Sequence, residues 1–332
     1  MRDKIKVSVL CLAYNHEKYI RKCLDSILNQ KTQFEFNIIV NDDASTDSTA
    51  TILHEYQKKY SDKMICVYQK ENQYSKGVDI VEDILLNYTD SEYIALCECD
   101  DFWTDNNKLQ LQFEYMQEHS ECALCTHNTI IHDLNGNSKD TLFNTWKNVH
   151  ILSAREVFMM WKVHTSSFFM RRELGYRPKN YRKYWFGDYV RLVVAFGEGN
   201  IAVLPFVMSV YNYGVPTGLL QNVDKDMIES RKKRILERKE FLEQLDQEKY
   251  NKYLSIIEER MYLTELEAET LIDVEILRHT DVKSKKIERA NKIFKSREFR
   301  NYLSSLKGIR KVKEIFKYKG YFLYPVWKKI WN

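Results

Sequence analysis

Proline and glycine are scarce, four and ten in 332 residues. So few chain breakers exclude a Pro/Gly-rich disordered chain and argue against an all-β fold built on tight turns. Long apolar runs are missing as well. No stretch approaches the ~20 residues that a membrane-spanning helix needs. The opening "MRDKIKVSVLCLAYN" has too short an apolar run, broken too early, for a secretory leader. The expectation is therefore a cytoplasmic protein, either free or peripheral on the inner face of the membrane.

Excess charge is slight. A formal net charge of +4 gives no reason by itself to expect nucleic acid. The seven cysteines are odd in number and all lie between Cys11 and Cys125. Cys11, Cys66, Cys97 and Cys99 fall in apolar strand-like runs, where a free thiol behaves as a small hydrophobe. Cys122 and Cys125 are spaced as CxxC, but no second pair follows, so no zinc or redox centre is expected there. A reducing compartment fits this usage.

What remains is a globular chain long enough for one large domain and an appendage. Its first 130 residues alternate short apolar runs with amphipathic segments. "KVSVLCLAYN", "FNIIVNDDAS", "KMICVYQKEN", "YIALCECDD" and "CALCTHNTII" read as strands. Between them, "HEKYIRKCLDSILNQ" sets Tyr19, Ile20, Cys23, Ile27 and Leu28 at helical spacing. "STDSTATILHEYQKKY" is a second helix, with Ser45 or Thr46 as its expected N-cap; "GVDIVEDILLNYT" and "NKLQLQFEYMQEH" follow. This order predicts an α/β fold whose mostly parallel sheet is flanked by helices.

Ligands of such sheets bind beyond the carboxyl ends of the strands. Three strands end there in polar groups: Tyr14-Asn15, Asp42-Asp43, and Glu98, Asp100 and Asp101. Acids packed that closely repel unless a cation or hydrogen bonds compensate. Magnesium-type ions take one or two protein carboxylates together with substrate phosphates, which Asp100-Asp101 supplies. The alternative is a strand end reaching water, with Asp101 or Thr104 capping the next helix. For Asp43 or Ser45 the choice lies between capping a helix and accepting the N–H edge of a base.

Read together, "VSVLCLAYNHEKYIRKCLDSILNQ", "IIVNDDASTDST" and "YIALCECDDFW" resemble the nucleotide-sugar-binding half of family 2 inverting glycosyltransferases of the GT-A fold. The resemblance covers roughly residues 5 to 215 and is strongest in the first 130. It implies that Ala13 and Tyr14 flank the nucleobase and that Asp43, or less directly Asp42, binds its N–H edge. Asp100 then approaches the ribose or a metal-bound water, Asp101 holds Mn²⁺ or Mg²⁺, and Lys76 lies near base or phosphates. Two positions depart from the family pattern. Ala44 replaces the usual glycine of the Asp-Asp-Gly-Ser turn, and Glu98 replaces the first Asp of the acidic motif.

The same resemblance places a catalytic base at the start of a helix in the second half, where "WFGDYVRLVV" puts Asp188. Its other reading is a helix cap. Ser166, Ser167 and Trp185 fall in the stretch the family uses on the acceptor side, whereas His164 reads as structural. The implied activity is a metal-dependent, hexosyl-type transfer from a nucleotide sugar, UDP-linked by preference, to a saccharide or lipid-linked saccharide in cell-surface polysaccharide biosynthesis. A sugar nucleotidyltransferase would want a glycine-rich loop after the first strand, and "CLAYNHEKYI" has none. A non-catalytic nucleotide- or saccharide-binding module recruiting partners through its helical tail is the other alternative.

The expected organisation is a GT-A domain over 1–220, divided into a nucleotide-sugar-binding half, 1–130, and an acceptor-side half, 131–220. A helical extension follows over 221–307, dense in Glu, Lys, Arg and Leu, through which the chain could form an oligomer. The tail, 308–332, interleaves lysines with Phe316, Tyr318, Tyr321, Phe322, Trp327 and Trp331. Such a segment suits an anionic membrane surface or packing on protein. No nucleic-acid-binding fold accompanies it.

Overall fold

The structure, a computed structural model, describes residues 4–216, 227–261 and 264. Contacts divide the chain into two units, Met1–Asn222 and Val223–Asn332. The expected extension, 221–307, falls partly outside the described residues, and the tail, 308–332, falls wholly outside them. Among the described residues no helix is long and apolar enough to cross a membrane.

The first unit is built on strands β1 (Val7–Ala13), β2 (Phe36–Asp42), β3 (Met64–Tyr68), β4 (Tyr93–Glu98), β5 (Phe102–Trp103), β6 (Cys122–Asp133), β7 (Thr141–Leu142), β8 (His150–Ile151), β9 (Phe169–Arg171) and β10 (Asn200–Tyr213). Its helices are α1 (Ile20–Leu28), α2 (Thr49–Lys59), α3 (Ile80–Asn87), α4 (Lys108–Glu118), α5 (Ala154–Met159) and α6 (Gly187–Glu198). One sheet runs β3-β2-β1-β4-β9-β6-β10-β5, with β7 beside β6 and β8 beside β10. The β3-β2-β1-β4 part is parallel throughout. Antiparallel β9 then joins β4 to β6, and β6 runs parallel to β10. In the second unit α7 (Met227–Glu243) and α8 (Gln247–Tyr250) are helical.

Local sequence explains the parallel half. The central strands are buried on both faces, so they read as continuous aliphatic runs rather than alternating ones; Val7 through Cys11 and Ile38 through Asp42 are all buried. Helix α1 turns Ile20, Cys23, Leu24 and Ile27 onto this sheet, one face at helical spacing. Helix α2 begins later than its sequence suggests. Its N-cap is Ser48, without a side-chain cap bond. Neither Ser45 nor Thr46 caps it, because Ser45 is drawn to Asp42 and Asn15 instead.

Pro205 decides how β10 reaches the site. Proline has no N–H for the ladder, and the register against β6 slips between Leu204 and Val207. Beyond this bulge Ser209 and Val210 pair with Trp103 and Phe102 of β5. The strand then delivers Asn212 to the acidic motif. Behind β5, Gln112 of α4 accepts from the buried Lys108 and donates to the carbonyls of Cys125 and Ser167.

Ala44 adopts φ +60°, the left-handed region in which the family's glycine is at ease. An L-residue there is strained by about 1–2 kcal/mol, while glycine gains unfolded-state entropy worth roughly 0.4–1 kcal/mol. Ala44→Gly should therefore stabilise the fold by about 0.5–1 kcal/mol. Urea unfolding checks this: the midpoint should rise with an unchanged slope, and a lower midpoint would show the turn unstrained.

Candidate active site

Parallel pairing brings the ends of β1, β2 and β4 to one edge. The Asp43 amide donates to the Ala13 carbonyl at 2.9 Å, and the Cys99 amide to that of Leu12 at 2.9 Å, so the pairing continues past the strands. Tyr14 is half-buried beside this edge. Asn15, itself at φ +56°, accepts from the Thr46 amide at 2.7 Å and so ties the β1 loop to the β2 loop.

The two aspartates after β2 do different work. Asp42 accepts from the Ser45 hydroxyl and amide, and burial pushes its carboxyl up while Ser45 pulls it back. Asp43 accepts from the Gln73 amide at 2.7 Å and the Tyr74 amide at 3.1 Å. It therefore shapes the turn Tyr74–Lys76, in which Lys76 forms an ion pair with Glu71. Lys76 is half exposed.

At the end of β4, Glu98, Asp100 and Asp101 each offer an oxygen within 4.8 Å of the others. Burial, then Asp100, then Asp188, push the Glu98 carboxyl up to about 8. Burial, then Asp100 and Glu98, hold Asp101 well above the usual carboxylate range. The Asn212 amide donates to Asp101 Oδ1 at 3.0 Å, and the Asn212 side chain donates to the Asp100 carbonyl at 2.5 Å. Asp100 Oδ1 and Asp101 Oδ2 are buried without a hydrogen-bond partner. His16 Nε2 is 3.8 Å from Asp100 Oδ2, and His164 Nδ1 is 3.6 Å from Asp101 Oδ2. His164 does not offset the charge, because burial pushes its pKa down to about 3 and its Nδ1 accepts from the Ser166 amide. Three crowded acids, two of them with an orphaned oxygen, fit a hard divalent ion.

Asp188 is not a helix cap. The N-cap of α6 is Phe186, and Asp188 sits in the first turn with Oδ1 accepting from the Tyr189 amide at 2.7 Å. Burial pushes its carboxyl up, while that amide and the Arg191 guanidinium pull it back. Its Oδ2 accepts from Thr165 Oγ1 at 3.5 Å. His164 and Thr165 are adjacent, so one dipeptide touches Asp101 and Asp188 and sets the acidic cluster opposite the carboxylate of α6.

The start of α6 is fixed from beneath. Asp79, which caps α3 by accepting from the Glu82 amide, also takes Arg177 Nε at 2.5 Å and Arg191 Nη2 at 2.7 and 2.9 Å. A Cβ at Gly187 would lie 2.9 Å from Arg191 Nη1, which accounts for the glycine before Asp188.

The acceptor-side residues divide. Ser166 and Ser167, expected on the acceptor side, are fully buried. The Ser166 hydroxyl donates to Ser209 Oγ at 3.0 Å and that of Ser167 to the His164 carbonyl at 2.6 Å. They brace the segment that carries His164 and Thr165. Trp185 is half-buried and stands edge-on to Phe186, with ring centroids 5.5 Å apart. Asn212, Thr165, His16 and Asp79 were not singled out from the sequence. His16, directly after Tyr14-Asn15, and Thr165, next to Ser166, carried a positional signal.

A parallel sheet continued by β9, β6 and β10, with acids at the end of β4, is the GT-A glycosyltransferase arrangement. The family model described as glycosyl transferase family 2 matches residues 8–176, just over half the chain, and the protein belongs to that family. An uncharacterized protein of Mycobacterium tuberculosis is 35% identical over 212 residues, 62% of this chain and 58% of the relative. The chain thus spans somewhat over half the length of such relatives. A putative teichuronic acid biosynthesis glycosyltransferase of Bacillus subtilis is 35% identical over 117 residues, 35% of this chain and 44% of that one. Among solved structures, S. aureus TarS residues 1–349 in complex with UDP-GlcNAc superposes with a TM-score of 0.55 at 18% identity, over 87% of this chain and 80% of that one. Mannosyltransferase PcManGT from Pyrobaculum calidifontis, in complex with GDP-Man and Mn²⁺, gives 0.54 at 14% identity, over 90% and 83%.

Proposed function

We propose that this glycosyltransferase moves a hexosyl group from a nucleotide sugar, UDP-linked by preference, to a saccharide or lipid-linked saccharide acceptor, with inversion and with a divalent metal. The observation that carries the reading is the His164-Thr165 dipeptide, which meets the metal-type acids on one side and a base-type carboxylate on the other.

In this reading Tyr14 and the Ala13 backbone flank the base, with the turn held by Asp43 as the opposing wall. Asp43 itself takes the N–H edge through its remaining lone pairs, and Asp42 supports the turn through Ser45. Lys76 exchanges Glu71 for donor phosphate. Asp101 and Asp100, with Glu98 beside them, hold Mn²⁺ or Mg²⁺. Held by these carboxylates, a divalent ion would supply positive charge against the departing diphosphate. Asp188 accepts the proton of the attacking acceptor hydroxyl through Oδ2, and the C–O bond to the leaving nucleoside diphosphate breaks as the new one forms. Trp185 offers an apolar face to the acceptor ring. Likeness to the putative teichuronic acid biosynthesis glycosyltransferase and to a poly(ribitol-phosphate) beta-glucosyltransferase, the latter 35% identical over 99 residues, supports an acceptor of the cell-surface polysaccharide class. The 1–220 domain carries this chemistry; the 308–332 tail, outside the described residues, is assigned either to an anionic membrane surface or to packing on protein.

A panel of UDP-, GDP- and dTDP-sugars with Mn²⁺, Mg²⁺ or chelator tests the donor reading. The expected result is metal-dependent thermal stabilisation and slow release of nucleoside diphosphate with one nucleotide class. Absence of binding across the panel would favour a module of another kind.

A further inference from the structure

The apolar layer between α1 and the sheet holds a second concentration of metal-ligating atoms, apart from the acids. Cys11 of β1 and Cys97 of β4 are partners in the parallel register. Cys99 lies two residues beyond Cys97 and keeps the strand pairing through its amide, so its side chain falls on the same face. Helix α1 crosses that face and turns Cys23 inward. Four of the seven cysteines, from three separate elements, therefore meet in one place.

Their geometry is that of a ligand set. The Sγ atoms of Cys11, Cys23 and Cys99 lie within 4.8 Å of one another, and Cys97 Sγ is 3.8 Å from Cys23 Sγ. All four residues are at most 1% exposed. Thiolates bound to zinc at about 2.3 Å in a tetrahedron stand about 3.8 Å apart. The spacing of Cys11, Cys23 and Cys99 reaches this with side-chain shifts of about 1 Å or less, and Cys97, in contact with Cys23, stands next to the three as the fourth ligand. As thiols the four gain little: Cys23 and Cys97 both turn to the single Glu98 carbonyl, at 3.7 Å each, and S–H is a weak donor. Soft sulfur ligands select zinc or copper(I), whereas carboxylates select magnesium or manganese. The two clusters therefore sort ions by chemistry, not by position.

We propose that Cys11, Cys23, Cys97 and Cys99 form a buried soft-metal site, with Zn²⁺ as the probe ion, that pins α1 and β1 to the carboxyl end of β4. Cys99 stands between Glu98 and Asp100, so the ion fixes the backbone that carries the acidic motif. Each ligating thiol releases its proton to solvent, and no electron is exchanged. The role is structural, and it stands whether or not the donor reading holds.

Elemental analysis of the full chain, expressed in zinc-supplemented medium and purified under reductant, should find about one zinc per chain. Cobalt(II) replacement should add a thiolate-to-cobalt charge-transfer absorption. Cys23→Ala should lower affinity for the probe beyond the about 10–100-fold typical of outer-sphere changes. Cys122→Ala and Asp101→Asn should keep the absorption, which separates this site from the acids. If Cys23→Ala does not fold, titration of wild-type thiols with an organomercurial should release the zinc in step with the thiols modified. Stoichiometric binding of neither ion by fully reduced protein, an undiminished absorption in folded Cys23→Ala, or a disulfide within the cluster would overturn the proposal.

Discussion

Asp101→Asn is expected to abolish metal-dependent binding of nucleoside diphosphate and to lower transfer by about 10²–10³-fold or more, while making the metal-free protein more stable. Both effects follow from one carboxylate. Its Oδ1 already accepts from Asn212, and asparagine keeps that acceptor. Its Oδ2 is buried and unpaired, and burial with Asp100 and Glu98 raises its pKa well above the usual range. A carboxyl whose folded pKa is raised contributes its stability at acidic pH, and that contribution is lost as pH rises from the ordinary carboxylate range through the raised value. The substitution should therefore flatten this decline and, near neutral pH, gain on the order of 1–3 kcal/mol. Thermal melts across pH, with chelator and with Mn²⁺, read both effects. A variant that melts as wild type without metal and still gains stability from Mn²⁺ with nucleotide would remove Asp101 from the metal.

Asp188→Asn should spare donor binding and cripple transfer. General-base assistance contributes typically 10²–10⁴-fold, so kcat should fall by about that factor while the donor Kd stays within about twofold. The fold should survive, because asparagine can keep the contacts with the Tyr189 amide and Thr165 hydroxyl. In the wild type, burial raises the carboxyl, so transfer should rise with pH through a value above the ordinary Asp range. That limb should vanish in the variant. Isothermal titration with donor and initial rates across pH check it, and a fully active variant would return Asp188 to a purely structural place in α6.

Much of the fold was legible because it is local. The aliphatic runs of β1, β2 and β4, and the spacing of Ile20, Cys23 and Ile27, respond to burial that any parallel sheet imposes on its members. The polar residues closing those strands were legible for the same reason, since strand ends are where such a sheet meets solvent and ligand. Capping was less legible. Ser45 has the chemistry of a cap, but Asp42 and Asn15, brought close by pairing of β1 with β2, compete for it. Ser166 and Ser167 look like sugar-binding hydroxyls in sequence, yet Ser209 and the His164 carbonyl take them.

The sequence by itself determined the family, the alternation of strands and helices that makes a mostly parallel sheet, and the identity of the acids, because each is carried by residues within short segments. Only the tertiary structure decided what those acids face. Asn212 reaches Asp101 from 111 positions away, across a register slip that Pro205 imposes on β10. Glu98, whose part the sequence left open, joins Asp100 and Asp101 in one cluster and feels Asp188 across the site. The four thiols beneath them meet because β1, β4 and α1 cross. Distances between segments far apart in the chain depend on how the layers pack, and no local pattern encodes them.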